Sequence, residues 1–141
     1  RTQEDVVYLA DCLSSKETLE KYRIGVIHDV AAYLDTLERV KQMSARTFVP
    51  AHADAAQDIA PLAQYNIDQV HQVAEDILAL CREPVQFETI LQNLFTGYGL
   101  ELTLEQYVLV GSTVRSYLAW LVDGGQVTYG FDQNRLLWER A

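Results

Sequence analysis

The stretch "RTFVPAHADAAQDI", Arg46 to Ile59, shows how the chain is organised. An apolar run ends at Pro50, and a strand is expected to end there, because proline lacks the N–H that a central strand residue donates. His52 follows at once, and a helical pattern begins a few residues later. The chain has only three histidines. A histidine at a strand end is therefore a candidate ligand or catalytic group.

The residues before this stretch show one strand pattern and two helix patterns. "DVVYLADC", Asp5 to Cys12, is rich in β-branched and aromatic residues and has no helical period, which predicts a buried strand. Ser14 and Glu17 have the spacing of a capping box, so a short helix is expected over about residues 15–22. "HDVAAYLDTLERVKQM", residues 28–43, has one apolar face and predicts an amphipathic helix.

The second half of the chain reads as three helices followed by a hairpin. Helical spacing runs over about residues 56–82, and a second helix is expected to stop at Gly97. Thr103 and Gln106 form a capping box that opens a third helix. "QVTYGFDQNRLLWE" predicts a hairpin with its turn around Asp132–Asn134. This order of elements is typical of a winged-helix-like module.

Composition and charge exclude several classes of protein. The 141 residues are 49% hydrophobic and 22% charged, which suits a globular chain with one core. No apolar run is long enough for a membrane helix. Cys12 and Cys81 match neither a disulfide framework nor a zinc motif, so reduced thiols and a cytoplasmic location are expected.

The acidic balance argues against a nucleic-acid partner. The net charge is −9, whereas binding to a phosphate backbone requires Lys and Arg. From Pro84 onward the acidic residues outnumber the basic ones. We therefore expect the winged-helix-like part to serve packing or dimerisation.

Two strands from separate parts of the chain rarely form a stable sheet alone. Strands as apolar as the first also favour neighbours on both edges. In addition, the chain begins with Arg1, and its only methionine is Met43. These features predict that a further part of the sheet comes from residues outside this sequence.

Two motifs together resemble a known family. "DVVYLADCLSS" has Ala10–Asp11 at the exit of its strand, and "FVPAHAD" has the tetrapeptide Pro50–Ala53, Pro-Ala-His-Ala, at the exit of the next. This order resembles the C-terminal half of metallo-β-lactamase-fold hydrolases, in which one strand ends in Gly-Asp or Ala-Asp and the next in Pro-Gly-His-Gly. Several subgroups of that family also carry a helical, winged-helix-like tail.

The resemblance implies a fold and a metal site. The fold would be α+β and predominantly helical, with half of a metallo-β-lactamase αββα sandwich over residues 1–60 and a helical, winged-helix-like extension over residues 61–141. Asp11 would bridge two metal ions, usually zinc, and His52 would bind the second ion. No catalytic residue is assigned.

The sequence departs from the family pattern in two respects. The His-x-His-x-Asp-His motif is absent, and alanines, Ala51 and Ala53, replace two glycines of Pro-Gly-His-Gly. We therefore expect a C-terminal fragment that binds zinc weakly or not at all and is inactive alone. Its expected partners are the missing N-terminal half or another copy of itself. The alternative is a non-catalytic helical or winged-helix module for interaction or dimerisation.

Other polar residues near these motifs have simpler explanations. Asp54 and Asp58 are expected to begin the long helix, where negative charge is favourable. His28 is expected at the start of the preceding helix, and His71 on an exposed helical face. Cys12 has no nearby base or second thiol, so we expect an ordinary thiol.

Overall fold

A computed structural model describes all 141 residues, which form two compact units. The first unit consists of Arg1–Arg23 and Ala31–Val70, and the second of Ile24–Val30 and His71–Ala141. The elements, in chain order, are β1 (Val6–Ser14), α1 (Lys16–Tyr22), α2 (Val30–Lys41), β2 (Thr47–His52), α3 (Ala60–Leu80), α4 (Phe87–Tyr98), α5 (Leu104–Asp123), β3 (Val127–Asp132) and β4 (Arg135–Arg140). Helices contain more residues than strands, as predicted.

The first unit is built on a parallel pair of strands, β1 and β2, joined through α1 and α2. The two strands predicted in this half are present, but both run further than predicted: β1 continues past Asp11 to Ser14, and β2 continues past Pro50 to His52. Proline is tolerated inside β2 because Phe48, two residues earlier, directs its N–H away from β1 to Ala56, and by alternation the nitrogen of Pro50 also faces away from β1. Their buried side chains form one apolar core with residues from α2 and from the first half of α3: Val7, Leu9, Leu13, Leu37, Val40, Phe48, Ile59, Ala63 and Ile67. Burial of this apolar surface is the main force that holds the unit together.

The helix caps confirm one sequence prediction and correct another. Thr103 caps α5 as predicted, because its side chain accepts a hydrogen bond from the N–H of Gln106 at 3.2 Å. The cap of α1 is Ser15, not Ser14, and it accepts a hydrogen bond from the N–H of Thr18. Ser14 belongs to β1, where its backbone N–H and C=O have other partners. Ser14 and Glu17 therefore do not form a capping box, and the cap is a single serine one residue later.

The second unit contains α4, α5 and the hairpin of β3 and β4. α4 continues past Gly97 and ends at Gly99, which has a φ of 66°. Glycine adopts this left-handed conformation without the steric cost that a Cβ brings, so the helix ends there and not at the first glycine. The hairpin turn lies where predicted, at Gln133 and Asn134, whose φ angles are 49° and 63°. None of the helices is long and apolar enough to cross a membrane.

Candidate functional site at the end of the parallel strands

The parallel arrangement of β1 and β2 brings two predicted site residues together. Asp11 lies near the end of β1, and His52 is the last residue of β2. Because parallel strands end at the same edge of a sheet, their side chains meet: His52 Nε2 lies 3.0 Å from Asp11 Oδ1. The side chains are 62% and 80% exposed, respectively. The pair is therefore accessible from solvent, and its role as metal ligands stays a prediction.

An irregularity in β1 turns Asp11 toward solvent. Side chains alternate along a strand, so Asp11 would lie on the same face as the buried Leu9 and Leu13. Ala10, however, has a φ of 48°, and the strand register shifts on both sides of it. Between Ala10 and Ser14 the first strand uses more residues than the second strand does. This bulge directs the carboxylate out of the core and toward His52.

Backbone contacts fix the position of His52. Its carbonyl accepts a hydrogen bond from the N–H of Ser15 at 3.2 Å, and Ser14 is its partner in the strand register. The chain continues directly from these contacts into α1, which Ser15 caps. The histidine backbone is therefore tied to the junction of β1 and α1.

A buried asparagine on α3 binds the backbone at the same junction of β1 and α1. Asn66 is only 3% exposed. Its Oδ1 accepts a hydrogen bond from the N–H of Ser14 at 2.9 Å, and its Nδ2 donates to the C=O of Ser14 at 2.9 Å. Nδ2 also donates to the C=O of Leu62. Asn66 is therefore a positioning residue for the strand end that carries Asp11.

Sequence analysis missed Asn66. The sequence did contain a signal for it, because Asn66 precedes Ile67 and lies on the apolar face of a long helix. A polar side chain in such a position is expected to satisfy buried backbone groups. The partner, however, lies 52 residues away in sequence and could not be identified from periodicity.

The thiol beside Asp11 is not activated. Partial burial raises the pKa of Cys12, while a hydrogen bond from the backbone lowers it and the charge of Asp11 raises it. Burial also raises the pKa of the nearby Tyr33 to about 12. Both groups are therefore protonated at neutral pH and do not supply a thiolate or phenolate ligand.

The residues present do not complete a metal centre. The chain contains no group of three or more His, Cys, Asp or Glu side chains that could hold a metal ion. Zinc sites in proteins use about three or four protein ligands, so Asp11 and His52 alone are too few. Their side chains are also in contact with each other, at 3.0 Å. These 141 residues therefore supply at most two of the three or four ligands that a zinc ion needs.

Asp58 and His71 occupy the simpler positions expected of them, whereas Asp54 lies six residues before α3 and does not begin it. Asp58 accepts a hydrogen bond from the N–H of Ala60 at 3.0 Å, where α3 begins. His71 is exposed, and its ring lies 6.0 Å from that of Trp120. His28 precedes α2, and its carbonyl accepts a hydrogen bond from the hydroxyl of Ser116.

Comparison with solved structures identifies the fold. A metallo-β-lactamase family protein from Thermus thermophilus matches 99% of this chain over 43% of its own, with a TM-score of 0.73 and 18% sequence identity. A β-lactamase domain protein from Burkholderia ambifaria matches 97% of this chain over 42% of its own, with a TM-score of 0.70 and 18% identity. The chain therefore spans less than half the length of these proteins. No family model and no curated protein matches the sequence.

Proposed function

The chain has the fold of part of a metallo-β-lactamase family protein, and on that premise we propose that it is the C-terminal part of a metal-dependent hydrolase. The observation that carries this proposal is the contact between Asp11 and His52. A carboxylate and an imidazole at adjacent strand ends are two suitable donors for a dinuclear zinc site. The remaining ligands, the substrate pocket and the activity belong to residues outside this chain.

The geometry indicates what the pair does before a cation binds. His52 Nε2 and Asp11 Oδ1 lie 3.0 Å apart, so both atoms can face one cation. A cation needs the lone pair of an unprotonated nitrogen, so any proton on Nε2 must move to Nδ1 or leave as the cation binds. Asp11 therefore lies where it can orient the imidazole before a cation binds. When bound, two zinc ions would supply an activated water for hydrolysis.

The open edge of the sheet supports the existence of further strands. Phe48 exchanges two backbone hydrogen bonds with Ala56, so the N–H and C=O of Phe48 point away from β1. By alternation, Val7 in β1 faces β2, and Tyr8 points to the outer edge, where no other segment of the chain pairs with it. Parallel strands are seldom left in this state. We propose that strands from the N-terminal half of the domain pair at Tyr8.

The second unit supplies the winged-helix-like extension in this proposal. α4, α5 and the hairpin follow in the order of such a module, and we assign to it self-association and not nucleic-acid binding. Two of its four arginines support this: the Arg135 side chain is paired with Asp132 at 3.0 Å, and the Arg115 guanidinium lies 3.7 Å from the centre of the Phe87 ring. These two side chains are engaged within the unit. The two free thiols fit a cytoplasmic location.

Metal content tests the proposal directly. The full-length product of the reading frame that contains this chain would be purified, and its zinc measured by plasma mass spectrometry. We expect about two ions per chain, and Asp11→Ala or His52→Ala to lower the content by about one ion or more. His71→Ala and Asp35→Ala, which change exposed residues of the same types on α3 and α2, should leave it unchanged.

The same experiment distinguishes the alternative. If Asp11→Ala and His52→Ala leave the metal content at the level of the two controls, the pair is incidental. The chain would then be a non-catalytic interaction or dimerisation module. The isolated 141 residues provide a further check, since two donors should retain no zinc through gel filtration and should show no hydrolase activity.

A further inference from the structure

The outer edge of β3 is open. On the other side of the hairpin, Trp138 exchanges two backbone hydrogen bonds with Val85, at 2.8 and 2.9 Å, which cover the outer edge of β4. Trp138 pairs with Tyr129 in the register, so the N–H and C=O of Tyr129 also point away from the hairpin. By alternation, those of Phe131 do the same, and no segment of the chain pairs with them.

This edge lacks the features that usually protect a free strand. β3 contains neither lysine nor proline, and its register with β4 runs without a bulge through all six pairs. Its only charged residue, Asp132, is paired with Arg135. The side chains of Tyr129 and Phe131 are 60% and 74% exposed, respectively, and lie on the same face of the hairpin. The edge therefore offers unpaired backbone groups beside exposed aromatic rings.

We propose that β3 pairs antiparallel with β3 of a second copy, around a two-fold axis at Gly130. This inference rests on the self-association assigned above to the second unit, but not on the metal assignment. Tyr129 of each copy then lies opposite Phe131 of the other, and each of these pairs exchanges two backbone hydrogen bonds. The two hairpins together form one four-stranded sheet.

The side chains favour a second copy of this chain as the occupant. On the axis, Gly130 faces Gly130, so the two backbones approach without a side chain between them. Each exposed ring gains an aromatic neighbour across the strands, an arrangement that stabilises antiparallel sheets. Asp132 lies opposite Thr128, so no two like charges face each other.

Size and charge set the expected strength of this contact. One strand edge buries less than the roughly 1,200 Å² of a standard stable interface, so we expect a dissociation constant on the order of 10 to 100 μM. Each copy carries a formal charge of −9, and salt screens the repulsion between copies. The dimer should therefore become tighter as ionic strength rises.

A cysteine on the axis tests the register. In the non-hydrogen-bonded position Gly130 of one copy lies about 4.5 Å, between Cα atoms, from Gly130 of the other, which is within the range of a disulfide. A Cβ added at Gly130 meets no atom within 4 Å, so Gly130→Cys should be tolerated. In the full-length protein under mild oxidation, we expect at least tenfold more cross-linked dimer from Gly130→Cys than from the unsubstituted protein, which retains Cys12 and Cys81.

Asp132→Cys is the matched control for this cross-link. Two copies of residue 132 would lie four residues apart along the paired strands, about 14 Å, which is too far for a disulfide. Similar cross-linking of Gly130→Cys and Asp132→Cys, or no cross-linking of either, would overturn the proposed register.

Sedimentation equilibrium tests the surface independently. Phe131→Lys should raise the dissociation constant of the full-length dimer at least tenfold. Leu104→Lys makes a similar change at a residue of the same unit that is 81% exposed, and it should change the constant less than twofold. Equal effects of the two variants, or a monomer at several hundred micromolar, would refute the dimer. Metal content should be unaffected by Phe131→Lys, so this result and the zinc result are separable.

Discussion

The side-chain amide of Asn66 binds both the N–H and the C=O of Ser14, at 2.9 Å each. One residue of α3 thereby satisfies both polar groups of a strand residue whose register partner is His52. A backbone irregularity in β1 displaces the chain here, and an amide, with one acceptor and two donors, can restore the lost pairing. The geometry of the Asp11 and His52 pair therefore depends on a residue that touches neither side chain.

We expect Asn66→Ala to destabilise the protein. The substitution leaves the polar groups of Ser14 without a partner in a part-buried position, and we estimate a loss of about 2–3 kcal/mol in the free energy of unfolding. Urea denaturation followed by circular dichroism would measure it. Gln72→Ala removes an exposed amide on the same helix, bonded to Asp76, and should cost less than about 0.5 kcal/mol. If Asn66→Ala lowers the free energy of unfolding no more than Gln72→Ala does, Asn66 does not hold Ser14 in place.

Ala10 adopts a conformation that glycine prefers, and its substitution provides a second prediction. With a φ of 48°, alanine at this position lowers the stability by about 1–2 kcal/mol. Glycine avoids this cost, but part of the gain is offset because glycine has more conformational freedom to lose on folding. We expect Ala10→Gly to raise the free energy of unfolding by about 0.5–1 kcal/mol in a urea titration.

Ala51→Gly is the matched control for that prediction. Ala51 lies in β2 and has no positive φ, so glycine brings only its entropic cost there. We expect a loss of about 0.5–1 kcal/mol. If both substitutions destabilise the protein equally, the positive φ at Ala10 carries no strain.

The strand-end pair was accessible from sequence because its signals are local. The two strand patterns, the acid at Asp11 and the histidine after Pro50 each follow from a few adjacent residues. Parallel pairing then places both ends at one edge of a sheet. The resemblance that these motifs carry implied that Asp11 and His52 share a site, and the 3.0 Å contact agrees with it.

Features that depend on contacts between residues distant in sequence could not be predicted from the sequence. The positive φ of Ala10 has no sequence signature, because alanine seldom adopts it. The cap of α1 was predicted at Ser14 because only Ser14, with Glu17, has the capping-box spacing. The backbone bonds of Ser14 to Asn66, which hold it in β1, could not be predicted from that spacing. Val85 pairs with Trp138 and so covers the edge of β4, which leaves β3 as the strand with the open edge. This contact could not be predicted from the periodicity of the sequence.

Burial of Tyr33 predicts a loss of stability at high pH. Its pKa is raised from 10.0 to about 12, first by burial and then by the charge of Cys12. Between these values the unfolded chain releases the proton while the folded chain retains it, so the free energy of unfolding falls as pH rises from about 10 to 12. Urea midpoints at about pH 9, 10 and 11 would measure this fall. Tyr33→Phe should make the fall shallower, and an unchanged slope would contradict the burial effect.

The hairpin turn predicts a gain in stability from glycine. Gln133 and Asn134 both have positive φ, the backbone of a two-residue turn that favours glycine at its second position. We expect Asn134→Gly to raise the thermal midpoint slightly, and Asn134→Val to lower the free energy of unfolding by about 1 kcal/mol or more, because a β-branched residue strongly disfavours this conformation. Calorimetry would compare them. Because the turn sets the register that points Tyr129 and Phe131 outward, Asn134→Val should also weaken the dimer, whereas Asn134→Gly should preserve it.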